Sequence, residues 1–250
     1  LVEVNTASRK VIGAWGGAVV LCLLAAGVAL VVLVPERGAA RALGVGLAAI
    51  GVAIVALVPR NGLQRTLFGR AAARALIMRD GATTSVAVAS KDVFGGSIGR
   101  QLFTPGIAMS DTTFAARRYM GIMAHLPLFL AGRTPPADGR LDALLICYGV
   151  GNSARSLLSH PELGSLDVVD VAREVLELSA YFAEVTSGDP LRDPRVTTLV
   201  EDGRHHLMGS GRRYDVITAE PPPPNHAGVV NLYAREYYRA ARQALRPGGV

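Results

Sequence analysis

The feature that most constrains this fold is an apolar run that breaks into a glycine turn and precedes a second apolar run ending in an acid. Residues 144–148 form the first run, Gly149 and Gly151 mark the turn, and residues 166–169 lead to Asp170. Glycines let the backbone turn tightly and approach a ligand, and an acid after the next strand can accept hydrogen bonds from ribose hydroxyls. The pattern predicts a nucleoside-type ligand at the first turn of an α/β sheet.

Alternating strand and helix patterns continue to residue 250. Strands are predicted at 141–148, 166–170, 196–200 and 214–219, and helices at 153–159, 172–185, 203–208 and 232–245. Such alternation is typical of a parallel sheet that helices cover on both faces. The carboxyl ends of its strands meet at one edge, which would gather the glycine turn, Asp170, Asp202 and Glu220. We expect a Rossmann-like domain over residues 140–250, truncated at its C-terminal end.

Two apolar runs near the start of the chain predict a transmembrane helical hairpin over residues 1–60. The chain is 50% hydrophobic, and the excess lies in residues 11–34 and 42–58. As a helix the first run would be roughly 36 Å long, enough to span a bilayer, whereas the second is at the short end for a span. A signal peptide is the rival interpretation, but it calls for a shorter apolar run with no second run behind it.

Basic residues flank both ends of the predicted hairpin. Arg9 and Lys10 precede it, and the arginines that follow it are Arg60, Arg65, Arg70 and Arg74. The positive-inside rule then favours both ends in the cytoplasm. The net charge is +6, and we expect these arginines to meet the lipid bilayer. We expect no nucleic acid partner, because no Lys/Arg cluster is interleaved with aromatic residues.

The segment between the hairpin and the Rossmann-like domain divides into two parts. Residues 61–79 are basic and amphipathic, and we predict a connector helix there. Residues 80–132 predict a small β-rich domain with a helix: residues 84–90 alternate like a strand, Gly95-Gly96 suggests a hairpin, and residues 113–130 have a helical pattern.

Several candidate residues also have purely structural interpretations. Asp170 and Asp202 are each placed to cap a following helix. Cys147 has the setting of a small apolar residue in a buried strand. His205 and His206 lack spaced carboxylate or cysteine partners, so we expect a solvated helix face there and no metal site.

These motifs resemble the catalytic domain of spermidine synthases, the polyamine aminopropyltransferases with a class I methyltransferase fold. The matching segments are residues 149–153, 168–170, 175–178, 201–203, 214–217 and 236–238, with Tyr119 and residues 125–128 upstream. With its hairpin, the chain resembles the membrane-fused spermidine-synthase-like proteins of bacteria. That resemblance implies a multi-pass protein of the bacterial inner membrane with a cytoplasmic catalytic domain, and a homodimer as a possible assembly.

The resemblance also implies ligands and site residues. The aminopropyl donor would be decarboxylated S-adenosylmethionine, and the acceptor a small-molecule diamine such as putrescine. Glu220 falls at the catalytic position, and Tyr119 with Tyr237 or Tyr238 would line the acceptor pocket. The donor would be held by Gly149, Gly151, Asn152, Asp170, Asp202 and Gly203.

Two alternatives to this function stay open. Residues 220–224 read Glu-Pro-Pro-Pro-Pro where the resemblance predicts a loop with two acids, and Ala115-Ala116 stand where it predicts an acidic pair. A cationic diamine needs carboxylates to bind it, and this chain has fewer of them. An S-adenosylmethionine-dependent methyltransferase, or a non-catalytic membrane domain that binds a nucleoside or polyamine, is compatible with the same residues.

Overall fold

The computed structural model describes residues 3–4, 38, 42, 44–47, 49–50, 68–105, 107–132, 139–224 and 229–250. Within these ranges, no helix combines the length and the apolar character that crossing a bilayer requires. The predicted span 11–34 lies outside the described residues, and the predicted span 42–58 coincides with them only at a few helical positions between 42 and 50.

The first sheet contains five of the described strands in the order β1-β2-β3-β4-β5. Their bounds are β1 Glu3–Val4, β2 Ala75–Asp80, β3 Ser85–Val93, β4 Gly96–Thr104 and β5 Ile107–Asp111. β1 runs parallel to β2, and the other neighbours are antiparallel. The predicted hairpin is the β3–β4 turn, where Phe94 and Gly95 both have positive φ. The β-rich character expected here is confirmed.

The predicted connector helix is wrong in its described part. A 3-10 helix covers Gly69–Arg74, and the chain then enters strand β2 rather than continuing as an α-helix. Ile77 and Met78 are buried and Leu76 is exposed on that strand. Pairing with β3 on a half-buried sheet therefore outweighs the helical tendency of this alanine- and arginine-rich stretch.

Helix α1, Phe114–Ala131, follows the first sheet as predicted. It begins at Thr113, whose side-chain oxygen accepts a hydrogen bond from the Ala116 N–H. Such a cap satisfies one of the N–H groups that the first turn leaves without a partner. Among its residues, Ala124 and Leu128 are fully buried, whereas Ile122 and Leu126 are exposed. One side of α1 therefore packs into the core, and the other carries apolar side chains at the surface.

The second sheet is parallel, with the strand order β8-β7-β6-β9. Its strands are β6 Leu141–Ile146, β7 Leu163–Asp170, β8 Val196–Val200 and β9 Val216–Ala219. The central strands β6 and β7 are buried along most of their length, as near-continuous apolar runs in parallel sheets usually are. β6 is flanked by β7 and β9, so the order in which successive strands are added reverses beside it, and such a reversal leaves a crevice at the carboxyl ends of the strands.

Helices connect these strands where the sequence predicts them, with one difference. They are α2 Asn152–Leu158, α3 Arg173–Glu177, α4 Ser179–Ala183, α5 Gly203–Gly209 and α6 Arg235–Ala244. The single helix predicted over residues 172–185 is two short helices, because Leu178 leaves helical geometry with ψ near 2°. Pro190–Arg192 and Val229–Tyr233 form additional 3-10 turns.

One apolar cluster joins the two sheets. It is formed by buried side chains of β2–β4, of helices α1, α2 and α4, and of the parallel strands, including Ile77, Val86, Leu102, Leu128, Leu145, Leu157, Val168 and Phe182. Burying these side chains contributes about 1.5–3 kcal/mol each for the larger ones. The shared core holds β5 and α1 against the glycine turn after β6, and this packing positions the site described next.

Candidate active site

The turn after β6 carries three residues with positive φ: Cys147 at 69°, Gly149 at 60° and Gly151 at 79°. A Cβ on Gly149 would lie 3.0 Å from Ser110 Oγ, and a Cβ on Gly151 would lie 2.5 Å from the Tyr148 hydroxyl. Both glycines are therefore favoured by the backbone conformation, and Gly151 is also required by the lack of space. They leave the backbone bare at the sheet edge where α2 begins, as a nucleotide-type ligand needs.

Asp170 ends β7 and is held by the same turn. Its Oδ2 accepts a hydrogen bond from the Tyr148 N–H at 2.9 Å, and its Oδ1 accepts one from the Ala172 N–H at 2.9 Å. Burial raises the pKa of Asp170, these two bonds lower it, and the nearby Glu174 raises it. The carboxyl group is thus fixed in direction, and each oxygen keeps a second lone pair that a ribose hydroxyl can use.

Asp202 and Gly203 begin helix α5. Asp202 Oδ1 accepts hydrogen bonds from the Arg204 N–H at 2.9 Å and from the His205 N–H at 3.0 Å, so this acid caps the helix. A Cβ on Gly203 would lie 2.4 Å from Ile146 Cγ2, so the glycine lets α5 approach β6. Both residues have structural uses at the predicted edge, and their contact with a donor stays a prediction.

Asn152 ties the glycine turn to the preceding elements. It is buried, and its Nδ2 donates to the Asp111 carbonyl oxygen at 2.9 Å and to Met120 Sδ at 3.1 Å. Among the described residues, its Oδ1 has no hydrogen-bond partner. The amide nitrogen is therefore committed to structure, whereas the carbonyl oxygen is buried without a partner among the described residues.

The prediction that His205 and His206 both lie on a solvated helix face is wrong for His206. His205 is exposed, but His206 is buried, with Nδ1 2.6 Å from Glu201 Oε1 and Nε2 2.7 Å from the Tyr214 hydroxyl. The Tyr214 hydroxyl in turn donates to Asp167 Oδ2 at 2.7 Å. The part of the chain that the structure describes contains no group of acids, histidines and cysteines that could hold a metal ion.

Glu220 stands where β9 ends, and its backbone N–H donates to the Ile146 carbonyl oxygen at 3.2 Å. Burial raises the pKa of its carboxyl group to about 7. Burial also raises the pKa of the Cys147 thiol, and the charges of Asp170, Glu220 and Asp202 raise it further. The charges of these three acids therefore all reach Cys147, in agreement with a common edge of the strands, and the pKa of Glu220 suits proton exchange near neutral pH.

The three predicted acceptor tyrosines have different environments. Tyr119 is 54% exposed on α1, and its pKa is raised by burial, by Glu220 and by Tyr233. Tyr237 is buried in an apolar cluster, and Tyr238 is exposed and packs edge-on against it with ring centroids 5.3 Å apart. The charge of Glu220 thus reaches Tyr119, whereas Tyr237 serves mainly as core.

Tyr233 was missed from the sequence. Its hydroxyl lies 3.1 Å from the Pro221 carbonyl oxygen and 2.9 Å from the Pro222 carbonyl oxygen, and it donates to these acceptors. It therefore holds the start of the proline run that follows Glu220. Its position just before the Glu236-Tyr-Tyr238 motif could have marked it as a candidate site residue. The neighbouring sequence does not show which carbonyl oxygens its hydroxyl contacts.

The fold defines a Rossmann-like α/β domain with a parallel sheet, and comparison with known proteins assigns the family. The model of the spermine/spermidine synthase domain matches residues 116–250. The chain belongs to the spermine/spermidine synthase family.

Individual relatives agree with that assignment. The polyamine aminopropyltransferase of Bacillus subtilis is 32% identical over 152 residues, which cover 61% of this chain and 52% of the relative. The chain thus spans about half the length of this relative. Among solved structures, a spermidine synthase in complex with the transition-state analogue AdoDATO has a TM-score of 0.59 at 22% identity, covering 69% of this chain and 55% of that one. A spermidine synthase from Thermotoga maritima has a TM-score of 0.55 at 21% identity, covering 69% and 53%. At these identities the structures establish the fold.

Proposed function

We propose that this protein transfers an aminopropyl group from decarboxylated S-adenosylmethionine to the primary amine of a small acceptor, with putrescine as the diamine that the family resemblance implies. The observation that carries the proposal is the half-buried Glu220 at the end of β9, at the same sheet edge as Asp170 and the glycine turn, with its charge reaching Tyr119. The name of the Bacillus subtilis relative, polyamine aminopropyltransferase, supports the reaction class.

The donor side of the edge fits an S-adenosyl ligand. Gly149 and Gly151 leave the backbone open, and Asp170 presents fixed lone pairs for two ribose hydroxyls. Asp202 uses only Oδ1 for its helix cap within the described residues, which leaves Oδ2 for an adenine amino group. Asn152 is the first residue of α2 and follows the glycine turn directly. We assign donor binding to these residues together with Gly203.

The reaction requires an uncharged amine and a fixed line of attack. Glu220, whose pKa burial raises to about 7, accepts the ammonium proton. The amine lone pair then forms a bond to the propyl carbon, and the carbon–sulfur bond breaks with its electron pair going to sulfur. The sulfonium becomes the neutral thioether methylthioadenosine, and the proton leaves Glu220 for water. Most of the rate gain comes from holding amine and carbon in line.

The decisive experiment replaces Glu220 in the full-length protein. We expect Glu220→Gln to reduce formation of methylthioadenosine by a factor on the order of 100 or more, since general acid–base groups contribute about 10²–10⁴. Binding of methylthioadenosine itself should remain. Glu177→Gln is the matched control, because Glu177 is exposed on α3. Unchanged turnover in Glu220→Gln would remove this residue from the mechanism.

A methyltransferase is the second candidate, and the loss of acids near the acceptor favours it. Between residues 221 and 235 the sequence has no Asp or Glu, so only Glu220 is left for a cationic acceptor in this segment. Comparing S-adenosylmethionine with its decarboxylated form as ligand and as co-substrate separates the two reactions. Binding of both without turnover would point instead to a non-catalytic binding domain.

We propose further that the protein is tethered to a bacterial inner membrane with its catalytic domain in the cytoplasm. The apolar runs 11–34 and 42–58 and the flanking arginines support this topology. Alkaline extraction of membranes should leave the full-length protein in the pellet, and its recovery in the wash would contradict the tether. Light scattering of the detergent-solubilised protein tests whether it forms a homodimer.

A further inference from the structure

A chain of hydrogen-bonded side chains runs from the edge of the parallel sheet into its interior. Glu201, which follows β8, lies 2.6 Å from His206, and His206 lies 2.7 Å from the Tyr214 hydroxyl. That hydroxyl donates to Asp167, which also forms an ion pair with Arg212 at 2.8 Å. His206 is 4% exposed, Tyr214 0% and Asp167 1%. A buried polar network whose members are all paired is rigid, so this one fixes the position of Glu201 relative to the sheet.

The protons of this network can be counted. The Tyr214 hydroxyl uses its one proton in the bond to Asp167, and burial, that bond and the charge of Asp167 raise its pKa. Its oxygen therefore accepts a hydrogen bond from His206 Nε2–H. The bond between His206 Nδ1 and Glu201 Oε1 needs one further proton, which the imidazole and the carboxyl group share. Such a charge-assisted bond is stronger than a bond between neutral groups.

A histidine is the side chain that serves both ends of this network. Tyr214 pairs with Leu245 in a β-bridge before β9, and Asp167 lies within β7, so both are fixed in the sheet. An aromatic ring without nitrogen atoms would fill the same space, but it would leave the Tyr214 oxygen without a donor and Glu201 free to rotate. The two ring N–H groups of His206 therefore tie the edge of the sheet to its interior.

The turn that His206 holds also carries Asp202, to which the donor's adenine amino group is assigned. Asp202 Oδ1 caps α5 by accepting from the Arg204 and His205 N–H groups, and its carbonyl oxygen accepts from the His206 N–H at 2.9 Å. Glu201 directly precedes Asp202, so its bond to the His206 ring closes the turn on the other side. A ligand-binding side chain keeps its direction when neighbouring residues lock it in this way.

We propose that His206 is a positioning residue for the donor. By holding Glu201 it fixes the turn over residues 201–203, and with it the carboxyl group of Asp202. The inference rests on the proposed function, because it takes this edge as the place where an adenine binds. His206 acts through its neighbours and has no part in the chemical step, so its loss should weaken donor binding and leave kcat unchanged.

His206→Phe in the full-length protein tests the proposal, since it keeps a ring but removes both side-chain hydrogen bonds. We expect KM for decarboxylated S-adenosylmethionine and Kd for methylthioadenosine to rise about tenfold, because a hydrogen bond to a charged group is worth about a factor of ten or more. Both kcat and KM for the amine should stay at the parent values. His205→Phe is the matched control, because His205 is exposed on the same helix, and its kinetics should match the parent.

Two substitutions of Glu201 keep the test informative where His206→Phe fails to fold. A glutamine amide donates to an unprotonated Nδ1, so Glu201→Gln should bind methylthioadenosine within about twofold of the parent. Glu201→Ala has no such group and should bind about tenfold more weakly. Equal affinities in these two variants, or a fall of kcat in a folded His206→Phe, would overturn the inference. A parent protein that binds methylthioadenosine but never forms it would overturn aminopropyl transfer alone, and one that does not bind it would overturn both.

Discussion

The proposed donor and acceptor sides of the site are built in different ways. On the donor side, Asp170 and Asp202 both accept backbone N–H bonds, so their carboxylates are fixed before any ligand arrives. On the acceptor side, Glu220 owes the rise in its pKa to burial alone. The difference teaches that the donor half depends on local backbone geometry, whereas the acceptor half depends on side chains that distant segments bring together.

The largest expected effect comes from breaking the glycine turn. Gly151→Ala combines a left-handed φ of 79° with a Cβ 2.5 Å from the Tyr148 hydroxyl. We expect a loss of about 3 kcal/mol or more in the free energy of unfolding, because the conformation alone costs about 1–2 kcal/mol. Chemical denaturation measures it.

Gly139→Ala is the control that separates the cost of a left-handed backbone conformation from the cost of a steric clash. Gly139 has a φ of 70° but open space around its Cβ position. It should lose only about 1–2 kcal/mol from the backbone conformation. Equal losses in the two variants would mean that Tyr148 moves aside freely and that the turn is less rigid than its geometry suggests.

Asp170→Asn tests the preorganised carboxylate. Each oxygen faces a backbone N–H, so an amide NH₂ would place donor against donor on one side. We expect methylthioadenosine to bind about 100-fold more weakly, which corresponds to about 2.7 kcal/mol. Isothermal titration calorimetry gives the affinity, and the exposed Asp92→Asn serves as control. An affinity within threefold of the parent would show that the ribose does not depend on this acid.

The pH dependence of stability in Glu220→Gln tests whether burial alone sets the pKa on the proposed acceptor side. The unfolded state ionises near the ordinary pKa of 4.5 and the folded state near about 7. Between these values the folded state binds more protons, so this group lowers stability as pH rises. At pH 8 the variant should melt about 2–4 °C higher than the parent, with no difference at pH 4. Tyr119 and Cys147, whose pKa values Glu220 helps to raise above their ordinary 10 and 9, stay neutral across this pH range. A pH-independent difference would contradict burial as the cause.

The smallest effect is expected from Tyr233→Phe. Removing the hydroxyl releases the Pro221 and Pro222 carbonyl oxygens while the ring stays. We expect KM for the amine to rise about threefold, since one neutral hydrogen bond is worth about 1 kcal/mol or less. The affinity for the donor should not change, because the hydrogen bonds of Tyr233 to the proline run lie on the proposed acceptor side. Steady-state kinetics with each substrate varied in turn measure both, and a rise confined to the donor KM would contradict this assignment.

Much of this molecule was predictable because the relevant patterns are local. Apolar runs, the glycine turn and the acid after β7 follow from the order of residues within one βαβ unit, and the strand order confirms their common edge. The connector helix was the wrong prediction. Residues 75–80 have good helix formers, but pairing with β3 buries Ile77 and Met78 in a sheet. Nothing within the segment itself shows that such a partner exists.

The sequence by itself determined the parallel sheet, the positions of Gly149, Gly151 and Asp170, and the placement of Glu220 after a strand, since each depends on neighbouring residues in the chain. Only the tertiary structure decided the rest. It buried His206, joined Asn152 to Asp111, brought Tyr119 within reach of the charge of Glu220 and hydrogen-bonded Tyr233 to the proline run. These contacts join residues separated by up to about a hundred positions, and packing across the shared core selects them.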